Sequence, residues 1–341
     1  MKRKNSRRTY LSLLLTGLLV VSTVTLGGAA LSFAKSSPTV TDGNWTANRA
    51  DTGRTGATTG TGPSGPYAGT DWTINPDGRP SGAVVEGDTV YLGVETFAEY
   101  NRRNGKVVAY DAQTGAVRWN RTELGGVDES PTFANGTVYV TADGVTGTDN
   151  ILNESGTPGL FALNADTGET KWRNNATKTW TGTPTVVGGT VYAHSGTTIY
   201  AIDAETGQTT DSFELDSDGD ESPNVSVYNS IEGYAVVGDT AYLSVHKRTT
   251  TRTKVDGDWQ YNSTDVGKLI ALNTSDWSRE WTNDIDSIPS GLAVTNGAVY
   301  WTVQPNEVYS FAADDSTQRW HKRSTTASMT ANRIPSPHPQ S

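Results

Sequence analysis

The stretch VVAYDAQTGAVRW, residues 107–119, decides the architecture. It reads as a short apolar strand, a five-residue turn beginning at Asp111, and a second strand ending on Trp119. In the turn, the Asp111 carboxylate can accept backbone N–H groups while Gly115 supplies the positive φ that closes it. The same pattern recurs without gaps as LFALNADTGETKW (160–172), IYAIDAETGQTTD (199–211), LIALNTSDWSREW (269–281) and VYSFAADDSTQRW (308–320).

A second unit precedes each copy: SGAVVEGDTVYL (81–92), SPTFANGTVYV (130–140), GTPTVVGGTVYA (182–193), GYAVVGDTAYL (233–243) and SGLAVTNGAVYW (290–301). Apolar alternation on both sides of Gly-Asp, Asn-Gly or Gly-Gly is the signature of a tight β-hairpin, because these dipeptides tolerate the φ > 0 of primed turns. The two units together make four antiparallel strands in about 40–70 residues. A repeated four-stranded sheet with one aromatic per repeat is a propeller blade, and blades bury their faces by stacking on one another. The expected fold is all-β: a β-propeller of about five four-stranded blades.

The pattern Ala-x-Asp-x-x-Thr-Gly-x-x-x-Trp resembles the tryptophan-docking repeat of the PQQ-like, quinoprotein-type β-propellers. The resemblance covers residues 71–326 and implies that each tryptophan packs between neighbouring blades. Asp111, Thr114, Gly115 and Trp119 match in full. Asn164 replaces the aspartate in the second copy, with Thr167, Gly168 and Trp172 retained. The third copy keeps Asp203, Thr206 and Gly207 but has Asp211 in the tryptophan position, so its junction is expected to be the loosest. The fourth keeps Asn273 and Trp281, and the fifth only Trp320. These residues are read as structural.

The ends divide the chain further. Residues 1–34 read as a twin-arginine-type signal peptide, with Ser6-Arg7-Arg8 before the apolar run from Leu11 to Leu26 and small residues up to Ala34. Residues 35–70 are a Gly/Thr/Pro-rich lead-in. Trp72 stands in the docking phase of an outer strand belonging to a preceding blade. After Trp320 the prolines 335, 337 and 339 break any strand pattern, so 327–341 is expected to be a disordered tail. The ring is therefore expected to be incomplete, as in a C-terminally truncated propeller, with Trp72 poorly anchored or docked elsewhere.

Composition narrows the function. The formal charge is −10, and loss of the five leader cations takes it to −15. Such a surface repels nucleic acid and anionic lipid, and no membrane insertion of the mature chain is expected. The acidic, Thr-rich, Lys-poor composition resembles exported proteins of salt-loving archaea. With no cysteine there is no disulfide and no thiolate metal site. His194, His246, His321 and His338 are dispersed and read as exposed or structural. The cluster Asp216, Asp218, Asp220 and Glu221 misses calcium-loop spacing, so Ca²⁺ is only weakly suggested. No catalytic or metal residue is assigned. PQQ is implied by family resemblance only.

Three insertions, 95–104, 143–158 and 246–267, fall between the second and third strands of their blades and read as loops on one face. Phe97, Tyr100, Arg102, Arg103, Arg248, Trp259 and Tyr261 give that face the residue types interfaces favour. The expected function is an extracellular or cell-surface binding or scaffolding module for a protein or surface partner. By analogy of fold it resembles the propeller lipoprotein of the bacterial outer-membrane assembly machine. The alternative is a PQQ-dependent dehydrogenase or a remnant of one; members of that class are longer and carry adjacent cysteines. For export, replacing Arg7 and Arg8 together by lysine should leave precursor inside the cell on fractionation, and normal secretion of that variant would refute the twin-arginine reading.

Overall fold

The computed structural model describes residues 47, 72–98, 102–144, 156–177, 179–216 and 222–323. The leader 1–34, the tail 327–341 and all of the lead-in except Ala47 lie outside the described residues. Among the described residues, twenty strands form five antiparallel sheets, each of four consecutive strands paired in chain order. The first is β1 (Arg79–Glu86), β2 (Thr89–Ala98), β3 (Arg102–Asp111) and β4 (Val117–Leu124). The second is β5 (Thr132–Ala134), β6 (Thr137–Ala142), β7 (Gly159–Asn164) and β8 (Thr170–Asn174). The third is β9 (Thr181–Val187), β10 (Thr190–Ser195), β11 (Thr198–Asp203) and β12 (Thr209–Glu214). The fourth is β13 (Val225–Val237), β14 (Thr240–Val255), β15 (Asp258–Asn273) and β16 (Arg279–Ile285). The fifth is β17 (Pro289–Thr295), β18 (Ala298–Val303), β19 (Glu307–Ala312) and β20 (Gln318–Arg323).

These sheets are propeller blades. Their first strands neighbour one another in chain order, β5 lying beside β1 and β9, and β13 beside β9 and β17. The core lies between blades rather than within them. One apolar cluster joins Val84 and Tyr91 of the first blade to Val138 and Phe161 of the second; others join the second to the third, the third to the fourth and the fourth to the fifth. This is why the middle strands read as unbroken apolar runs. Strand β6 is buried at every position, whereas β20 is exposed throughout.

Each docking tryptophan is aimed by a bulge. In four blades the register between third and fourth strands skips the residue just before the tryptophan or its counterpart: Arg118, Lys171, Thr210 and Glu280, with Arg319 in the fifth. The bulged side chain reaches back to its own blade. Arg118 pairs with Asp88 and Asp111, each at 2.7 Å, and holds the Asp111 carboxyl well below the usual carboxylate range. Lys171 donates to Thr137 Oγ1 at 2.6 Å. The indole then crosses to the next blade. Trp119 Nε1 donates to the Ala165 carbonyl at 2.7 Å, Trp172 to Ala204 at 2.9 Å and Trp281 to Ala313 at 3.1 Å. A tyrosine from the second strand, Tyr91, Tyr139 or Tyr242, donates to the same carbonyl. The ring lies so close over the turn glycine that a Cβ at Gly168 would sit 2.6 Å from Trp119, and one at Gly207 2.5 Å from Trp172.

Two junctions depart from what the sequence leads one to expect. Trp72 is not poorly anchored: its Nε1 donates to Ala112 O at 2.9 Å, and its indole lies over Gly115 as the others lie over their glycines. The position on the first blade is thus taken by Trp72. Trp320 is 39% exposed beside Tyr300 and, among the described residues, donates to no neighbouring turn. The junction between the third and fourth blades is not left open either. Asp211 does stand opposite Ala201 where a tryptophan would be. The fourth blade, however, has Trp277 where its turn glycine would be, held at φ 56°. Its ring runs back across the junction, lying 6.2 Å edge-on from Tyr192 and 5.9 Å stacked from Phe213, and is only 8% exposed. The tryptophan has changed sides, and the gap is filled.

Trp277→Gly should therefore cost about 3–5 kcal/mol, as for a large aromatic deleted from a core. Adding Asp211→Trp restores the arrangement of the other junctions, and the pair should show a favourable coupling of about 0.5–3 kcal/mol in denaturant melts. Additive behaviour of the two changes would refute the exchange.

Candidate functional site

The segment 246–267, expected to be a loop, is a continuous β-ribbon. Strands β14 and β15 stay in register from Thr240↔Asn273 to Val255↔Asp258. The turn is Asp256-Gly257, both at positive φ, at 51° and 95°. Asp-Gly between runs of Thr and Val is a strong hairpin signal, and it could have identified the ribbon from sequence. The first half of β13 adds a third strand, from Val225↔Thr251 to Ile231↔Val245. A three-stranded arm thus extends the fourth blade beyond the length of its neighbours.

Residues directly opposite in an antiparallel pair share a face, and side chains alternate along each strand. The pairs Tyr228↔Arg248, Arg248↔Asp265, Arg252↔Tyr261 and Lys254↔Trp259 place all these side chains on one face. There the Arg252 guanidinium lies 5.0 Å over the Trp259 ring and the Lys254 ammonium 5.9 Å from it. Tyr228, Trp259 and Tyr261 are 62%, 48% and 68% exposed. Arg252 also binds the Pro223 carbonyl at 2.6 Å, tying the arm to the start of β13. At the base, Asp265 accepts two bonds from Arg248, at 2.8 and 3.2 Å, and lies 2.8 Å from His246 Nε2. Arg248 first, and His246 after it, hold the Asp265 carboxyl below its ordinary range.

A cavity of about 860 Å³ opens at the foot of this arm. Tyr228 to Gly233 line one side, and Glu129, Thr179, Thr181 and His194 the other. It exists because a tall arm stands beside a short hairpin: β10 and β11 turn at Gly196, directly after the pair Ser195↔Thr198. His194 is buried, with its ring edge-on to Tyr234 at 5.6 Å, and Thr183 donates to Glu129 Oε2 at 3.3 Å.

Of the residues expected on the binding face, Arg248, Trp259 and Tyr261 share the arm. Phe97 pairs with Arg103, and Ala98 with Arg102, at the far end of the β2–β3 hairpin, which belongs to a different blade. Tyr100 lies outside the described residues, as do His338, Asp218, Asp220 and Glu221. Tyr228, Glu129 and Glu232 were not singled out by sequence. Tyr228 is joined to the face only by strand pairing, and the two glutamates come to line one cavity only through packing of blades. Among the described residues no group of three or more His, Cys, Asp or Glu is placed to hold a metal ion. Among the same residues no helix is long and apolar enough to cross a membrane.

Comparison with known proteins places the fold. The family model described as outer membrane protein assembly factor BamB matches residues 41–238 and 243–339. No curated protein matches the chain. Among solved structures, BamB from Moraxella catarrhalis is 19% identical over 69% of this chain and 58% of its own, with a TM-score of 0.45. The quinohemoprotein alcohol dehydrogenase ADHIIG from Pseudomonas putida HK5 is 14% identical over 74% of this chain and 54% of its own, at 0.55. A europium-containing methanol dehydrogenase is 16% identical over 82% and 58%, at 0.54. At these identities the likeness to the two dehydrogenases is of fold alone, and the chain spans little more than half the length of each of the three structures.

The base of the arm should respond to acid. Because the folded Asp265 pKa is depressed, the support it lends is present above the ordinary carboxylate pKa and lost as pH falls through the folded value. Asp265→Asn mimics that loss at neutral pH. It should speed tryptic cleavage after Arg252 and Lys254 roughly two- to five-fold, the scale of an exposed ion pair. An unchanged cleavage rate would show that the pair does not hold the arm.

Proposed function

The chain belongs to the family of PQQ-repeat β-propellers that contains the outer membrane protein assembly factor BamB, and from that premise we propose that it is a non-catalytic, exported propeller that binds a protein partner through the arm of its fourth blade. The observation that carries this reading is the arm's one-sided surface. Three exposed aromatics and three cations share one face of the arm. Aromatic residues and arginine dominate binding energy at interfaces because they bury much area with little conformational freedom to lose. Stacking of Arg252 and Lys254 on Trp259 restrains these side chains before contact, which lowers the cost of ordering them. The leader sequence supports a site of action outside the cell, at the surface or beyond it.

The test is site-specific photo-crosslinking from Tyr261 on intact cells, followed by binding measurements with the captured partner. Trp259→Ala with Tyr261→Ala should weaken that binding by about 2 kcal/mol or more, some thirty-fold, while the melting temperature stays unchanged. Unaltered affinity in the double variant would overturn the assignment of the arm.

A further inference from the structure

We propose that the cavity at the foot of the arm binds an extended peptide, which adds as a strand to the open edge of β13 and places a lysine or arginine between Glu129 and Glu232. This deepens the reading of the protein as a partner-binding propeller and rests on it.

Three observations converge. The cavity wall is a strand edge: Tyr228 to Gly233, six consecutive residues of β13, line it, and among the described residues β13 pairs only with β14. In a strand paired on one side, alternate N–H and C=O groups face away from that partner and form a template for another strand. The edge also lacks the usual protecting residue types, its Asn229 donating to the Asp216 carbonyl at 3.2 Å. Proteins usually blunt an open edge with lysine, proline or an inward charge. The stretch VSVYNSI, residues 225–231, has none of these in a chain that is 19% charged. It is β-branched, aromatic and polar but uncharged, which suits strand addition. Finally, the charge is one-signed. The lining residues include Glu129 and Glu232 and no lysine or arginine. The first charge along the edge is therefore Glu232, at the register break between Ile231 and Gly233, where the strand turns from arm into blade. A basic side chain on an added strand would enter a cavity lined by both carboxylates, Glu232 already accepting from Ser230 Oγ at 2.5 Å and lying 4.0 Å from His246 Nδ1, with Thr179 and Thr181 in the same lining.

The experiment uses the purified full chain and synthetic nonapeptides of alternating threonine and valine around a central arginine, followed by fluorescence anisotropy. The arginine peptide should bind, and its counterpart with central glutamate should bind at least roughly tenfold more weakly, the scale of a charge-assisted hydrogen bond. Glu232→Gln and Glu129→Gln should each weaken the arginine peptide without altering the glutamate one. N-methylation of alternate backbone nitrogens, in one of its two phases, should abolish binding to the unmodified protein, a readout independent of any variant's folding. Binding insensitive to N-methylation in both phases would overturn strand addition, and equal binding of the two peptides would overturn the charge assignment. Concentration-dependent dimerisation relieved by Tyr228→Lys would give the edge to a second copy of the chain and likewise overturn the proposal. Absence of peptide binding while crosslinking from Tyr261 persists would refute this site and leave the arm's role intact.

Discussion

The stack of blades depends on one bond that recurs at every described junction but that of the third and fourth blades: an indole N–H donated to an alanine carbonyl in the next blade's turn. Blades stack through side chains, and dispersion between faces has no direction. The indole bond supplies direction. A buried N–H without an acceptor costs about 1–3 kcal/mol, so the tryptophan is strongly steered to the carbonyl. The turn makes that carbonyl available. Its own bonds use the Asp111 carbonyl and carboxylate, as Gly115 N donates to Asp111 O and Thr114 N to Asp111 Oδ1. The carbonyl of Ala112 is left facing the neighbouring segment. The glycine then lets the ring lie flat on the backbone.

The third and fourth blades show how far this constraint can be bent. Asp211 and Trp277 exchange the aromatic between partners, so packing is kept while the directional bond is lost. Trp277 Nε1 is buried and, among the described residues, has no hydrogen-bond partner. Volume is conserved at that junction at the expense of a polar group. The same junction bears the arm and the cavity. The blade pair that departs most from the repeat therefore also carries the surface features on which the functional reading rests.

The arm illustrates how a blade acquires a binding surface without disturbing its stack. Lengthening β14 and β15 together preserves every ladder bond within the sheet, and the added residues lie beyond the neighbouring blades. Freed from the core, their side chains became polar, aromatic and basic, while residues in the blade proper, such as Leu243 and Ile270, stayed apolar and buried. The cavity follows from the difference in height between this hairpin and the short one at Gly196.

What sequence alone determined is whatever repeats. Hairpin dipeptides, Asp/Asn turns and tryptophan phase are local, with a period that backbone geometry enforces, so the five four-stranded blades and the docking positions Trp119, Trp172 and Trp281 could be read directly. Even within the 246–267 insertion, Asp256-Gly257 held a local signal for the ribbon. Tertiary structure decided what depends on residues far apart in the chain. Sequence could register Asp211 as a missing tryptophan but not that Trp277, sixty-six positions on, would fill its place from the other side. It could place Trp259 and Tyr261 in an insertion but not add Tyr228 to their face, since that requires strand pairing. That Glu129 and Glu232 line one cavity required the stacking of whole blades. Local dihedral preferences are written residue by residue, whereas a junction between blades is settled only when two surfaces compete for the same volume.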